Sequence, residues 1–197
     1  MNKELIIRRV ANILKETPSA EDIVKKGGDR DRRFLYLARH MVEKAISKDA
    51  LITAGDGMGI AILFEAGNEK DNFLKEFFQE VGLVLNVTGV KNALKVVKNQ
   101  KYIQSQRPKD GKYLYAWFWG VVKDDRGAGT HIAAEMKDEF LRISEEKKLP
   151  IYAETRLRKN AIVYQRYKFE NFHTWDQPGG GTMWFLRYVP ESLQEKE

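Results

Sequence analysis

Tyr113-Leu114-Tyr115-Ala116-Trp117-Phe118-Trp119-Gly120-Val121-Val122 carries no charge and is rich in aromatic and β-branched residues, the composition of a buried strand. Lys123-Asp124-Asp125 ends it. Arg126-Gly127-Ala128-Gly129-Thr130-His131 then leads into Ile132-Ala133-Ala134-Glu135-Met136, with apolar residues recurring at helical spacing through Phe140. Small residues where a strand hands over to a helix leave the backbone N–H groups unobstructed. The first helical turn adds unpaired donors and the positive end of the helix dipole, so such a junction can cradle a phosphate. Turns of this kind also serve simply to pack a helix close to a strand, and these six residues alone do not separate the two uses.

Around this stretch the composition sets outer bounds. A chain of 197 residues with 43% hydrophobic content is long enough to bury a full core and reads as one folded domain, 1–197. No apolar run approaches a bilayer-spanning length, and Met1-Asn2-Lys3-Glu4 lacks a secretory apolar segment, so no membrane partner is expected and the cytoplasm is the expected location. Zero cysteines exclude disulfides, Cys-ligated metal and a covalent cysteine route for acyl transfer. The net charge of +6 is spread along the chain rather than clustered, and no aromatic residues interleave the lysines, so nucleic acid is not an expected partner. His40, His131 and His173 show no metal-ligand spacing, and no Gly-x-Ser-x-Gly elbow is present.

Upstream of the central strand, Leu5, Ile6, Val10, Ile13 and Leu14 give a first helix ending near Thr17-Pro18. Ser19 is read as the cap of a short second helix that stops at Gly27-Gly28. Phe34 through Ile46 give an amphipathic helix over Asp29 to Ser47, and the mixed cluster from Asp29 to Arg33 reads as its solvated start. Leu51–Ala54 and Met58–Glu65 around Gly55-Asp56-Gly57 read as a hairpin. Phe73, Leu74, Phe77, Phe78 and Val81 are spaced as one face of a helix, as core or as the lining of a ligand pocket. A further helix after Thr88-Gly89 runs to about Gln104, with Lys91, Lys95, Lys98 and Lys101 as its wet side.

Downstream, Ile151–Thr155 reads as a short strand, Asn160 to Phe169 as a helix, and Phe172–Trp175 with Thr182–Tyr188 as two strands around Pro178-Gly179-Gly180-Gly181. In this order the pieces resemble the GNAT superfamily of N-acetyltransferases. Arg126-x-x-Gly129 before a helix resembles its acetyl-CoA-binding motif: Gln or Arg, two residues, Gly, one residue, then Gly or Ala. The chain departs from that pattern in having His131 at the last position. Asn160-x-x-x-Tyr164, with Phe169 beyond, resembles the family's next helix, and the resemblance covers roughly residues 111 to 189. The final hairpin, Gln177 to Trp184, looks like that of the puromycin-acetyltransferase type.

The resemblance implies an α/β (α+β) fold: a GNAT-like mixed, mostly antiparallel central sheet with flanking helices. Its central strands splay into a cleft for the pantetheine arm of acetyl-CoA, the implied co-substrate, and no metal is implied. Residues 1 to about 110 would supply the acceptor side, and about 111–189 the acetyl-CoA side. The implied activity is acetyl transfer to a primary amine of a small molecule, by direct attack on the thioester. The alternative is a non-catalytic acyl-CoA-binding or degenerate domain of the same fold. Neither the acceptor nor the oligomeric state can be read from the sequence.

Moving an acetyl group from a thioester to an amine requires a neutral amine, stabilisation of the carbonyl oxygen and protonation of the thiolate. A thiol titrates near ~8.5 and an alkyl amine near ~10.4, so both proton steps gain from a positioned partner. Backbone N–H groups around Trp119-Gly120-Val121 are best placed for the carbonyl oxygen, where the family's central strand opens. The turn Arg126, Gly127, Ala128, Gly129, Thr130 and His131 is expected to hold the diphosphate, with Asn160 also on the cofactor. Tyr164 stands where the family carries the proton donor to the leaving sulfur; its plainer alternative is a core tyrosine with a satisfied hydroxyl. Glu154, at a strand end, is the candidate acceptor of the amine's proton; its plainer alternative is a charge paired with Arg156 or Arg158. His131 can point away from the phosphates, donate to them or obstruct them.

Overall fold

The quoted strand forms as Tyr113–Val121 (β3) and stands third in the sheet. A computed structural model of the chain describes residues 2–67, 87, 90–123, 131–178 and 180–194. Before β3 come α1 (Lys3–Lys15), α2 (Pro18–Ile23), α3 (Arg30–Ser47), β1 (Leu51–Ala54), β2 (Gly59–Ala66) and α4 (Val90–Ser105). After it come α5 (Ile132–Lys147), β4 (Ile151–Thr155), α6 (Arg158–Arg166), β5 (Glu170–Asp176), β6 (Thr182–Tyr188) and α7 (Glu191–Gln194). The strands join in the order β1-β2-β3-β4-β6-β5. Among the described residues β3 and β4 form the one parallel pair, and the remaining neighbours are antiparallel. This is the mixed, mostly antiparallel sheet with flanking helices that the resemblance implies. Among the described residues, no helix is long and apolar enough to cross a membrane.

Alternation along β2 sends Ile60, Ile62 and Phe64 toward the buried stripes of α1 and α3, including Val10, Leu14, Phe34 and Leu37. Ala61 and Leu63 face the other way, onto Met136 and Phe140 of α5. Ile62 pairs with Phe118 and Leu63 with Ala116, so Trp117 is an extra residue in β3. A bulge of this kind reverses the facing pattern beyond it. Tyr113 and Tyr115 therefore share a face with Phe118, whereas Leu114 and Ala116 share the other with Trp119 and Val121.

The ladder between β3 and β4 is short. It holds Leu114 against Ile151 and Tyr115 against Tyr152, and the Leu114 N–H donates to the Pro150 carbonyl at 2.8 Å. β3 continues to Val121 on its β2 side, while β4 continues to Thr155 on its β6 side. The two central strands part between them. Close approach of α5 to this end of the sheet depends on Gly59, opposite Val121. A Cβ there would come 2.6 Å from Ile132 Cγ2 and 2.3 Å from Met136 Sδ.

Two local readings change, and others lie outside the described residues. The second helix starts at Pro18 with Thr17 as its N-cap, two residues ahead of the expected Ser19, and ends at Ile23 rather than at Gly27-Gly28. Proline at a first helical position loses no hydrogen bond, which is why it opens the helix here. The helix expected around Phe73 to Val81 lies outside the described residues, as do the side chains of Lys91 and Lys95. Lys98 and Lys101 of α4 are exposed.

Candidate active site

The opening between β3 and β4 is lined by backbone. The Val122 N–H donates to Met58 at 2.9 Å on the β2 side. N–H directions alternate along a strand, so those of Trp119 and Val121 point away from β2, into the opening, and that of Gly120 points to β2. Gly120 has a packing reason as well: a Cβ would come 2.5 Å from Ile13 Cγ2 of α1.

Glu154 sits on β4 with Tyr152 on the α1–α3 face, while Ile151 and Ala153 turn to the α5 face. Its Oε1 accepts from the Arg107 guanidinium at 3.0 Å and from the Tyr115 hydroxyl. Arg107, not Arg156 or Arg158, is therefore its partner. Arg107 follows α4 and is buried, and its Cζ lies 3.5 Å from the Tyr115 ring centroid. Burial works against the Arg107 charge, but the Tyr115 and Glu154 oxygens outweigh it and its pKa stays raised. Burial pushes the Tyr115 phenol well above its usual range; Arg107 opposes the shift and the Glu154 charge adds to it. Tyr115 is thus a neutral donor, and both bonds to Glu154 land on one oxygen. Oε2 accepts none from the described residues, and Glu154 borders a cavity of ≈ 220 Å³ on this face.

Tyr164 of α6 belongs to the opposite face. Its ring packs edge-on against Trp119 at 5.4 Å and Phe169 at 5.0 Å. Its hydroxyl makes no hydrogen bond with a described residue, unlike a core tyrosine with a satisfied hydroxyl. Burial, then the charge of Glu154, raises its pKa, so the phenol stays protonated and is close enough to Glu154 to sense it. The structure thus brings Glu154 and Tyr164 to the two sides of one opening. Asn160, in the first turn of α6, borders the cavity on the Glu154 side.

Arg126, Gly127, Ala128, Gly129 and Thr130 lie outside the described residues. His131 is exposed and forms the N-cap of α5 without a side-chain capping bond. It lines a surface groove with Leu51 to Ala54 of β1, along the outer side of α5.

No protein-family model matches the sequence, and a search of curated proteins finds no match. The similarity lies in structure. The C-terminal condensation domain of Ebony, solved in complex with β-alanyl-dopamine, superposes with a TM-score of 0.65 at 14% identity, over 95% of this chain and 93% of that one. Arylalkylamine N-acetyltransferase 2 from Aedes aegypti gives 0.58 at 11% identity, over 94% and 93%. A histone acetyltransferase HPA2-related protein from Corynebacterium glutamicum gives 0.58 at 13% identity, over 93% and 91%. The chain has the GNAT fold.

Within that GNAT fold, the sequence names Glu154 and Tyr164 as candidates and gives no sign of the partners of Glu154. Arg107 sits in Gln106-Arg107-Pro108, which reads as a polar loop. Tyr115 reads as one more aromatic residue in a buried strand. Period-2 alternation placed Tyr115 and Glu154 on definite faces of their own strands, but not on the same face as each other. Trp119 also has a visible environment: its ring lies 5.0 Å from Phe140 of α5 and 5.9 Å from Tyr167, the C-cap of α6, besides Tyr164.

Proposed function

We propose that the chain is an acetyl-CoA-dependent N-acetyltransferase acting on a primary amine of a small molecule by direct attack on the thioester. The observation that carries this reading is the opening between β3 and β4, with Trp119 and Val121 N–H groups directed into it and Glu154 and Tyr164 on its two sides. Acetyl-CoA fits it, since a pantetheine arm needs an unpaired strand edge and α5 begins without a capping side chain. The turn from Arg126 to His131, the start of α5 and Asn160 would hold it. Bound there, it supplies the thioester, and with it an activated acetyl group.

The remaining work falls to the chain's own groups. The Trp119 and Val121 N–H donors stabilise negative charge developing on the carbonyl oxygen, in a site already folded to receive it. Glu154 Oε2 receives the proton of the amine, while Arg107 and Tyr115 hold Oε1 and so fix the carboxylate plane. The Tyr164 hydroxyl donates to the departing sulfur. Because its pKa lies above ~10 and a thiol's near ~8.5, complete proton transfer is uphill by more than about 2 kcal/mol. Its contribution is a hydrogen bond to developing charge, with solvent completing the protonation.

The alternative, an acyl-CoA-binding domain without turnover, is favoured by one observation. The Trp119 ring packs between α5 and α6, on the side from which the arm would enter. Free thiol release from acetyl-CoA across a panel of amines decides between the two. Release that depends on an amine establishes the transferase. CoA binding by calorimetry with no release establishes the alternative. Loss of CoA binding in a folded Gly129→Glu variant, where a carboxylate would meet two phosphates, assigns the turn; unchanged affinity removes it from the site.

A further inference from the structure

The cavity beside Glu154 limits which amine can reach it. Its volume of ≈ 220 Å³ suits a small molecule. Its walls are chiefly apolar and include Leu14 of α1, Ile23 of α2, Leu37 and Met41 of α3, Phe118 of β3 and Met183 of β6. Among the described residues lining it, Glu154 is the one acid. Asn99 and Gln100 of α4 add neutral polarity, and Arg156 adds a cation, bonded to the Gly180 carbonyl at 3.3 Å.

This distribution separates amines by charge. A carboxylate that lines the cavity, with one oxygen held by Arg107 and Tyr115 and the other bonded to no described residue, suits a single ammonium. Among the described lining residues a second cationic end finds no counter-charge, and burying an unpaired charge is strongly unfavourable. An α-amino acid carries its carboxylate two bonds from the nitrogen, against Glu154, and Arg156 is the one cation among the described lining residues that could answer it.

We infer that the acceptor is a small primary monoamine with an apolar body, its nitrogen on Glu154 Oε2 and its body against the α3, α4 and β3 wall. This rests on the transferase reading, in which Glu154 serves the amine. The amine arrives as an ammonium, gives up one proton to Glu154, and its lone pair forms the N–C bond as the C–S bond breaks. The electron pair leaves with sulfur; the amide nitrogen sheds its second proton, sulfur takes one up through solvent, and Glu154 returns its own to solvent, so protons and charge balance.

The test uses the full chain with acetyl-CoA and four probes: 2-phenylethylamine, its neutral counterpart 2-phenylethanol, putrescine and phenylalanine. Thiol release gives kcat/KM for the three amines, and calorimetry gives affinity for all four. The expected result is a kcat/KM for 2-phenylethylamine at least about 10-fold above those of putrescine and phenylalanine. Glu154→Gln should weaken binding of 2-phenylethylamine at least about 10-fold and leave 2-phenylethanol unchanged. Faster turnover of putrescine or phenylalanine overturns the monoamine inference and leaves the transferase standing. Binding of 2-phenylethylamine that depends on Glu154, with no thiol release from any amine, supports the cavity assignment and overturns the transferase. Failure of 2-phenylethylamine to bind the wild-type chain overturns the inference outright, whatever the variant does.

Discussion

Arg107 and Glu154 meet at 3.0 Å from positions 47 residues apart, and Tyr115 is fastened to both, by its hydroxyl to the carboxylate and by its ring to the guanidinium. The pair is largely withdrawn from water, with side chains 5% and 13% exposed. Removing one partner from a buried pair leaves the other charge uncompensated, at a typical cost of ~3–5 kcal/mol. Arg107→Met should therefore lower unfolding stability by about 3 kcal/mol in urea denaturation. Glu154→Gln should cost less, because an amide oxygen still accepts from Arg107 and Tyr115. The double variant should recover part of the Arg107→Met loss. Additive losses, or an Arg107→Met loss below about 0.5 kcal/mol, would show that the pair is not coupled.

Tyr164→Phe removes one hydroxyl and keeps the edge-on packing against Trp119 and Phe169. Since that hydroxyl bonds to no described residue, the variant should fold with stability within about 0.5 kcal/mol of wild type. Loss of a donor to developing charge typically lowers kcat ~100-fold or more. CoA affinity should be unchanged. A parallel drop in stability and CoA affinity with no selective fall in kcat would return Tyr164 to the core.

The right-hand half of the sheet was readable because its signals are local. Tyr113 to Val121 has strand composition, Ile132 to Phe140 has helical period, and each forms where it was read. The splay of β3 from β4 was legible through the family resemblance alone, because pairing between strands far apart in sequence leaves no local trace. The bulge at Trp117 was illegible for a related reason: an extra residue in β3 is defined by its partner, β2. The pairing of Tyr115 with Tyr152, equally invisible in local sequence, puts Tyr115 rather than Ala116 on the face of Glu154. Arg107 escaped notice because its burial is created by two strands that its loop sequence does not mention.

Glu145 of α5 ties down the C-terminal segment. It accepts from the Glu191 N–H at 2.7 Å, the Tyr188 hydroxyl at 2.9 Å and the Ser192 N–H at 3.4 Å. Burial pushes its carboxyl up, but those hydrogen bonds outweigh it and hold the pKa below its ordinary value. A depressed folded-state pKa gives stability that is present above the unfolded value, about 4.3, and lost as pH falls through the folded one. Docking of α7 should accordingly loosen below about pH 4 and stay intact at pH 7. Glu145→Gln should loosen it already at pH 7, by about 1 kcal/mol, read as amide exchange over 189–194. Equal protection in the variant and wild type at pH 7 would remove the carboxylate from this role.

His131 stands where the family pattern has glycine or alanine, and its surroundings bear on whether it obstructs. α5 covers the β1–β3 side of the sheet and α6 the β4–β5 side, so the opening lies between these helices. The groove that His131 borders runs along β1, on the outer side of α5, and its ring makes no capping bond to the helix. A ring on that side leaves the N–H donors of the first turn free. His131→Gly should then change CoA affinity by less than about 2-fold at pH 6 and at pH 8, with little cost in stability because glycine is an acceptable N-cap. The two departures from that result are distinct. Tighter binding at both pH values would mean that the ring blocks the phosphates. Weaker binding confined to pH 6 would mean that the protonated ring donates to them, since a charge-assisted bond is roughly twice as strong as a neutral one. Calorimetry with CoA at both pH values separates all three.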